Sequence, residues 1–256
     1  MKKTIAVLSF VVAASASANC VDKVYSDAGY DRAKAEQICA AGATDECIDK
    51  VYADAGYDHA KAAIACGKAS IECIDTVYAD AGYDRAKAAK ACSKGATLEC
   101  INKVYADAGY DKMKAAMACG SAPASCIDKV YADAGYDRAK AAKACSGGAS
   151  LECIDKVYAD AGYDRAKAAY ACGKASIECI DKVYSDAGYD RAKAARACSG
   201  GATLACIDKV YSDAGYDRAK AATACGSATP ECIDRVYADA GYDRVKAARI
   251  CSAQNP

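Results

Sequence analysis

Tryptophan is absent from this chain, phenylalanine occurs once, at Phe10, and histidine occurs once, at His59. Because few large side chains are available, we expect a thin hydrophobic core that needs additional stabilisation. A metal site of histidine and cysteine, or a nucleophile activated by histidine, would depend on His59 alone. We therefore predict no catalytic residues, no metal site and no cofactor, and we interpret His59 as a surface substitution.

An excess of charge of either sign is also lacking, since 34 Lys and Arg residues face 34 Asp and Glu residues. A protein that binds nucleic acid or an anionic membrane usually has a clustered positive charge, so neither partner is expected. The one long apolar run, from Ile5 to Ala14, is roughly half the length that a membrane-spanning helix needs. The sequence therefore predicts no integral membrane segment after processing.

The first eighteen residues have the organisation of an export signal. Lys2 and Lys3 precede the apolar run, and four small residues, ending at Ala18, follow it. This order is typical of a cleaved signal peptide, so we predict a signal peptide at 1–18 and a mature chain that begins at Asn19. Asn19 before Cys20 does not fit a lipoprotein signal. We expect a soluble exported protein, either periplasmic or secreted.

The sequence is dominated by a repeat of 26 or 27 residues that occurs nine times and contains two cysteines 19 positions apart. Eighteen cysteines in an exported chain predict disulfide bonds. Between repeats, the step from one cysteine to the next alternates between 8 and 7 residues, so the duplicated block is a pair of repeats, 53 residues long. The first cysteines are Cys20, Cys47, Cys73, Cys100, Cys126, Cys153, Cys179, Cys206 and Cys232, and the second are Cys39, Cys66, Cys92, Cys119, Cys145, Cys172, Cys198, Cys225 and Cys251.

The sixth repeat illustrates the predicted local structure. Ser150 can cap a first helix of about ten residues, whose apolar positions fall on one side, and Gly162 is placed to end it. Asp164 is placed to cap a second, alanine-rich helix of about nine residues that ends at Cys172. Repeats of this length stack on their neighbours. The prediction is an all-α solenoid of αα-hairpins that forms a single domain over residues 19–256.

Sequence spacing leaves two disulfide arrangements open. The two cysteines of one hairpin can meet, but so can the second cysteine of one repeat and the first cysteine of the next. Pairing within repeats uses all eighteen cysteines, whereas pairing between repeats leaves Cys20 and Cys251 free. We favour pairing within repeats, because two free thiols would invite head-to-tail crosslinking.

The segment Lys143-Ala-Cys145, followed after seven residues by Cys153, by Tyr158-Ala-Asp-Ala-Gly162 and by Lys167-Ala, resembles the Sel1-like repeat of cysteine-rich exported proteins. The resemblance covers all nine repeats, although Sel1-like repeats are longer and have a glycine-rich link where this chain has Gly-Tyr-Asp. It implies a right-handed superhelix with a concave face, a role in protein interaction, and bridges between successive hairpins. Some relatives are described as penicillin-binding or β-lactamase-like, but this chain has no Ser-x-x-Lys motif.

Tyrosine is the most distinctive residue, with two copies in register in every repeat. Both rows can be packing residues, or the row at the inter-helix turns can be a contact surface. The candidate contact residues are Tyr30, Tyr57, Tyr83, Tyr110, Tyr136, Tyr163, Tyr189, Tyr216 and Tyr242.

Two further positions are candidate sites. The motif Asp-Ala-Gly-Tyr-Asp could offer carboxylate oxygens to Ca²⁺, but a helix stop followed by an N-cap is the simpler interpretation. The residue two before the second cysteine varies most, as Ile64, Lys90, Met117, Lys143, Tyr170, Arg196, Thr223 and Arg249, and we interpret it as solvent-facing.

Three functions follow in order of preference. The first is an exported scaffold that binds a protein or a cell-envelope component, as repeat arrays commonly do. The alternative is a structural rod or the protomer of a filament, which would self-associate; the near-identity of the repeats favours it. An enzyme that acts on a β-lactam or on peptidoglycan is a distant third, and we predict that the chain is not an enzyme.

Overall fold

The computed structural model describes residues 19–254, so the predicted signal peptide at 1–18 lies outside the described residues. The described chain contains eighteen helices and no strand, which confirms the predicted helical-repeat solenoid. The first helices of the nine repeats are α1 (19–24), α3 (Asp45–Val51), α5 (Ile71–Val77), α7 (Leu98–Val104), α9 (Ala124–Val130), α11 (Leu151–Val157), α13 (Ile177–Val183), α15 (Leu204–Val210) and α17 (Pro230–Val236). The second helices are α2 (Arg32–Cys39), α4 (His59–Cys66), α6 (Arg85–Cys92), α8 (Lys112–Cys119), α10 (Arg138–Cys145), α12 (Arg165–Cys172), α14 (Arg191–Cys198), α16 (Arg218–Cys225) and α18 (Arg244–Gln254).

The described chain divides into two compact parts. The N-terminal part comprises residues 19–98 and 112–117, and the C-terminal part comprises residues 99–111 and 118–254. Within each part, the first and second helices of a repeat pack together, and the second helices of successive repeats contact each other. The prediction of one domain over 19–256 stays a prediction.

Local sequence explains how each hairpin forms. The Ser150 hydroxyl accepts a hydrogen bond from the Cys153 N–H at 3.2 Å, and the Asp164 carboxylate accepts one from the Lys167 N–H at 2.9 Å. Both predicted N-caps are therefore confirmed, and each satisfies a donor in the first helical turn. The α-helical segments are shorter than predicted, seven and eight residues in the sixth repeat, because the first helix passes into a turn after Val157.

The core is as thin as the composition predicts. Ile154 and Val157 of α11 are fully buried, and they pack beside buried alanines of α12. Asp155 and Ala159 lie on the exposed side of the same helix, as its periodicity predicts. Alanine is short, so it allows the second helices of neighbouring repeats to approach closely.

The alternating spacing between repeats has a structural cause in the C-terminal loop of every second repeat. Gly173 has φ +48°, and a Cβ there would lie 3.0 Å from the Ser199 carbonyl oxygen of the next repeat. The Lys174 N–H donates to that same oxygen at 2.9 Å. Gly67 is placed in the same way against Ser93, where a Cβ would lie 2.9 Å from the carbonyl oxygen. Repeats therefore alternate between two kinds of joint, and the structural period is two repeats.

Candidate functional site: the exposed tyrosine row

All eighteen cysteines are joined within their own repeats. The bonds are Cys20–Cys39, Cys47–Cys66, Cys73–Cys92, Cys100–Cys119, Cys126–Cys145, Cys153–Cys172, Cys179–Cys198, Cys206–Cys225 and Cys232–Cys251. Each bond ties the start of a first helix to the end of the second helix, so it closes the open side of the hairpin. The arrangement between repeats that the family resemblance implies is not the one found.

The turn between the helices is a Schellman motif that continues one residue further than usual in left-handed backbone. In the sixth repeat, the Gly162 N–H donates to the Ala159 carbonyl oxygen at 3.0 Å, and the Tyr163 N–H donates to the Tyr158 carbonyl oxygen at 3.0 Å. Gly162 has φ +76°, and Tyr163 has φ +59°. A tyrosine in this region costs free energy that glycine would not. The turn tyrosine of every repeat has a φ between +57° and +60°.

The turn tyrosines are the most exposed aromatic residues of the described chain, with 70–73% of each residue accessible to solvent. The interpretation that both tyrosine rows are packing residues is therefore wrong for this row. Each turn ring meets the helix tyrosine of its own repeat edge-to-face, with ring centroids 5.4–5.6 Å apart. This is the apolar contact that commonly accompanies a Schellman motif, and it fixes one side of the ring while the remainder faces solvent.

The helix tyrosines, by contrast, are part of the joint between repeats. The Arg191 guanidinium lies over the Tyr184 ring, 4.6 Å from its centroid, and also reaches the Asp160 carboxylate of the preceding repeat at 3.8 Å. Asp160 in addition accepts a hydrogen bond from the Arg191 backbone N–H at 2.7 Å. One carboxylate thus supplies a cap to the second helix of the next repeat, a contact that recurs at eight successive joints.

His59 takes the place of the arginine at one of these joints. Its ring stacks on Tyr52 with centroids 4.2 Å apart, and its Nδ1 lies 2.9 Å from Asp27 Oδ2. The hydrogen bonds from the His59 backbone N–H and ring lower the pKa of Asp27 below its ordinary value. His59 therefore performs the structural role of the arginines in other repeats.

The two carboxylates of each Asp-Ala-Gly-Tyr-Asp motif serve different structural partners. In the second repeat, Asp54 accepts from the Arg85 N–H at 2.8 Å, whereas Asp58 caps α4 through the Lys61 N–H at 2.8 Å. The N-cap role confirms the simpler interpretation of this motif. In residues 19–254, no group of three or more His, Cys, Asp or Glu side chains is arranged to hold a metal ion.

The variable position of the second helix carries a pattern that the sequence interpretation missed. Its residue is basic in the third, fifth, seventh and ninth repeats and neutral in the second, fourth, sixth and eighth, and the first repeat has the neutral Gln37. The 53-residue period was the available signal, because it implies that odd and even repeats should be compared separately. The side chains at this position are exposed, among them Ile64, Met117 and Tyr170.

Comparison of the chain with protein-family models, with curated protein sequences and with solved structures finds no match. Among the helices of the described chain, none is both long enough and apolar enough to cross a membrane.

Proposed function

We propose that this chain is an exported, disulfide-stabilised scaffold that binds a protein or a cell-envelope component through its row of turn tyrosines. The main support for this proposal is that nine tyrosines occupy left-handed backbone while most of each residue is exposed to solvent. The edge-to-face contact between the two rings stabilises the turn by about 0.5–1.5 kcal/mol. This is similar to the cost of placing a tyrosine in left-handed backbone, which is about 1–2 kcal/mol. Stability alone therefore gives little reason to prefer tyrosine over glycine or asparagine at nine positions.

Tyrosine suits such a role because it presents a large, rigid and amphipathic surface at low conformational entropy cost. Each repeat adds one ring, so a partner that contacts several repeats gains avidity without needing a strong single contact. The nine disulfides support an oxidising compartment, and they make export from the cytoplasm the natural setting for this scaffold. We also propose that these repeats are related to the Sel1-like repeat.

We also propose that the chain is not an enzyme. The aspartates of the repeated motif have structural partners, as with Asp160 at the joints and Asp164 at the helix caps. Among the described side chains, we identify no nucleophile with an adjacent base that could act on a β-lactam or on peptidoglycan. Incubation of the oxidised protein with a chromogenic β-lactam or with labelled peptidoglycan is expected to release no product.

The test of binding compares two sets of four substitutions in the fifth to eighth repeats. The first set changes Tyr136, Tyr163, Tyr189 and Tyr216 to Asn, which tolerates left-handed backbone. The control set removes exposed carboxylates of the first helices, by changing Asp128, Asp155, Asp181 and Asp208 to Ala. Co-sedimentation with cell envelopes of the source organism, before and after protease treatment, measures binding to the insoluble and protein components.

We expect the wild-type chain to bind saturably. The asparagine set should reduce this binding at least tenfold, and the control set should retain it. Circular dichroism and thiol counts must match across the variants. Unchanged binding by the asparagine set, or absence of saturable binding by the wild-type chain, would contradict the proposal.

A second candidate, a structural rod or filament protomer, is favoured by one observation: the same carboxylate-to-amide joint recurs between successive repeats. A carboxylate-to-amide contact of this kind between the repeats of two molecules would join them in the same way. Light scattering of the oxidised protein tests it, since a filament protomer gives a mass that increases with concentration, whereas a finished scaffold stays monomeric.

A further inference from the structure

A second surface, distinct from the turn tyrosines, lies along the second helices of the C-terminal part. The residue two before the second cysteine is Lys143, Tyr170, Arg196, Thr223 and Arg249 in successive repeats. All five are exposed. The helices that carry them contact one another in order, α10 to α12, α14, α16 and α18, so these side chains form one row. We name this the second-helix row.

The cations of this row differ from most of the basic residues around them, although Lys174 and Arg235 also have no carboxylate within ion-pair distance among the described residues. Lys156 pairs with Asp181 at 2.7 Å, and Lys193 pairs with the capping Asp190 at 3.6 Å. Across residues 19–254, by contrast, Lys143, Arg196 and Arg249 have no carboxylate within ion-pair distance. The row therefore carries positive charge that the chain itself does not neutralise, at every second repeat.

Neutral side chains separate these cations. Tyr170 is 60% exposed between Lys143 and Arg196, and Thr223 lies between Arg196 and Arg249. A groove of about 430 Å³ beside Thr223 is lined also by Val245, Arg249 and Asp213, whose carboxylate pairs with Arg244. The row thus offers apolar contact area and uncompensated charge in alternation.

The N-terminal part repeats the arrangement with different side chains. Ile64 and Met117, 62% and 52% exposed, occupy the neutral positions, and Lys90 occupies the basic one. Lys90 lines a groove of about 450 Å³ together with Met113, Met117 and Lys94. From the second repeat onward, cation and neutral residue therefore alternate, while the neutral residue changes from Ile to Met, Tyr and Thr. The first repeat departs from this order, because its residue is the neutral Gln37.

We propose that the second-helix row binds an acidic polypeptide segment in which carboxylates alternate with apolar side chains. Uncompensated cations select carboxylates, and the exposed apolar residues between them select apolar side chains. The changing neutral residue favours a polypeptide, because a polymer of identical subunits would be matched by identical contacts. This inference is independent of the proposed tyrosine contact, since it uses different residues and a different partner chemistry.

The spacing of the row sets the spacing in the partner. Packed helices lie about 8–10 Å apart, so cations at every second repeat recur at about 16–20 Å. An extended chain advances about 3.3–3.6 Å per residue, so the matching carboxylates are about five or six residues apart. An apolar residue midway between them would contact the neutral position.

Fluorescence anisotropy with a labelled peptide of about twelve residues tests this inference. The matched peptide has glutamates at this spacing, a leucine or phenylalanine midway between them, and serine elsewhere. Three probes serve as comparisons: the same peptide with lysine for glutamate, the same peptide with serine for the apolar residues, and vesicles containing phosphatidylglycerol. The matched peptide is expected to bind at least tenfold more tightly than either altered peptide, and less tightly as salt is added.

Two matched variants locate the binding surface. Arg196→Glu reverses one charge in the row and is expected to weaken binding of the matched peptide at least threefold. Arg235→Glu makes the same change on the exposed side of α17, away from the second helices, and is expected to have no effect. Tyr163→Asn should also leave peptide binding unchanged, which separates this surface from the turn tyrosines.

Equal binding of the matched and lysine peptides, or an equal effect of Arg196→Glu and Arg235→Glu, would overturn the proposal. Binding of the vesicles with no binding of the matched peptide would overturn the assignment to a polypeptide.

Discussion

At the scale of single residues, the turn tyrosine combines an unfavourable backbone with an exposed ring. Tyr163 has φ +59° and contacts Tyr158 edge-on, while most of its surface is open. Gly162 before it was predictable as a helix stop, since glycine is the usual residue there. The exposure of Tyr163 was not predictable, because the direction of the ring depends on the second left-handed residue of the turn.

Substitution at this residue separates backbone cost from ring contact. Asparagine adopts left-handed backbone readily, whereas a β-branched residue does not. Tyr163→Val is therefore expected to destabilise the sixth repeat by about 1–2 kcal/mol more than Tyr163→Asn. Hydrogen exchange of the amides of α11 and α12 measures the difference, and equal protection in both variants would be inconsistent with the observed turn.

The caps of the second helices predict how the protein responds to acid. The hydrogen bond from the Lys220 N–H, 2.9 Å from Asp217, lowers the pKa of Asp217 below its ordinary value of 3.8. Because the folded pKa is lower, this stabilisation is complete above the unfolded pKa and is lost as pH falls through the folded pKa. Asp217→Asn keeps a cap but removes the charge.

Wild type is accordingly expected to have a higher Tm than Asp217→Asn at neutral pH, and the difference should shrink below about pH 3.8. Differential scanning calorimetry across the acid range measures it. A constant difference at all pH values would show that the charge of Asp217 does not stabilise the folded state.

At the scale of helices and hairpins, side chains far apart in sequence make the joints. Asp160 and Arg191 are 31 residues apart, and they belong to consecutive repeats. The helix caps and the apolar face were predictable from the sequence because each depends on residues within a few positions. The joints were not, because a motif within one repeat does not show which carboxylate reaches the next repeat.

Two aspartates of the sixth repeat provide a matched test of the joint. Asp160→Ala removes an acceptor from a backbone N–H and is expected to cost about 1–2 kcal/mol, as loss of a cap does. Asp155→Ala removes an ion pair with Lys129, in which the carboxylate is 57% exposed, and is expected to cost at most about 0.5 kcal/mol. Hydrogen exchange in the sixth and seventh repeats provides the comparison, and a larger effect of Asp155→Ala would count against the joint.

The disulfide of each hairpin compensates for its small core. Closing a loop of about 20 residues contributes about 3 kcal/mol through the entropy of the unfolded chain. Replacing Cys153 and Cys172 together with Ala is therefore expected to destabilise the sixth repeat by this amount. Limited proteolysis should locate new cleavage in residues 151–172, and unchanged resistance there would indicate that packing alone holds the hairpin.

At the scale of the whole molecule, the chain is an array whose surfaces differ in how much they vary. The turn tyrosine is the same in nine repeats, whereas the second-helix position alternates between neutral and basic residues from the second repeat to the ninth. Composition and periodicity were sufficient to predict nine αα-hairpins. The exposure of the second-helix position was predictable from its variability. The lack of ion pairs at its cations was not, because the pairing of charges depends on how repeats stack.

The central claim is that each hairpin is closed by its own disulfide, and a tryptic map of the alkylated, unreduced protein tests it most directly. Cleavage after Lys143 and Lys156 gives the peptide 144–156, which contains Cys145 and Cys153. The structure predicts that this peptide stays linked to the peptides that contain Cys126 and Cys172. Release of 144–156 alone, with an internal Cys145–Cys153 bond, would contradict the account.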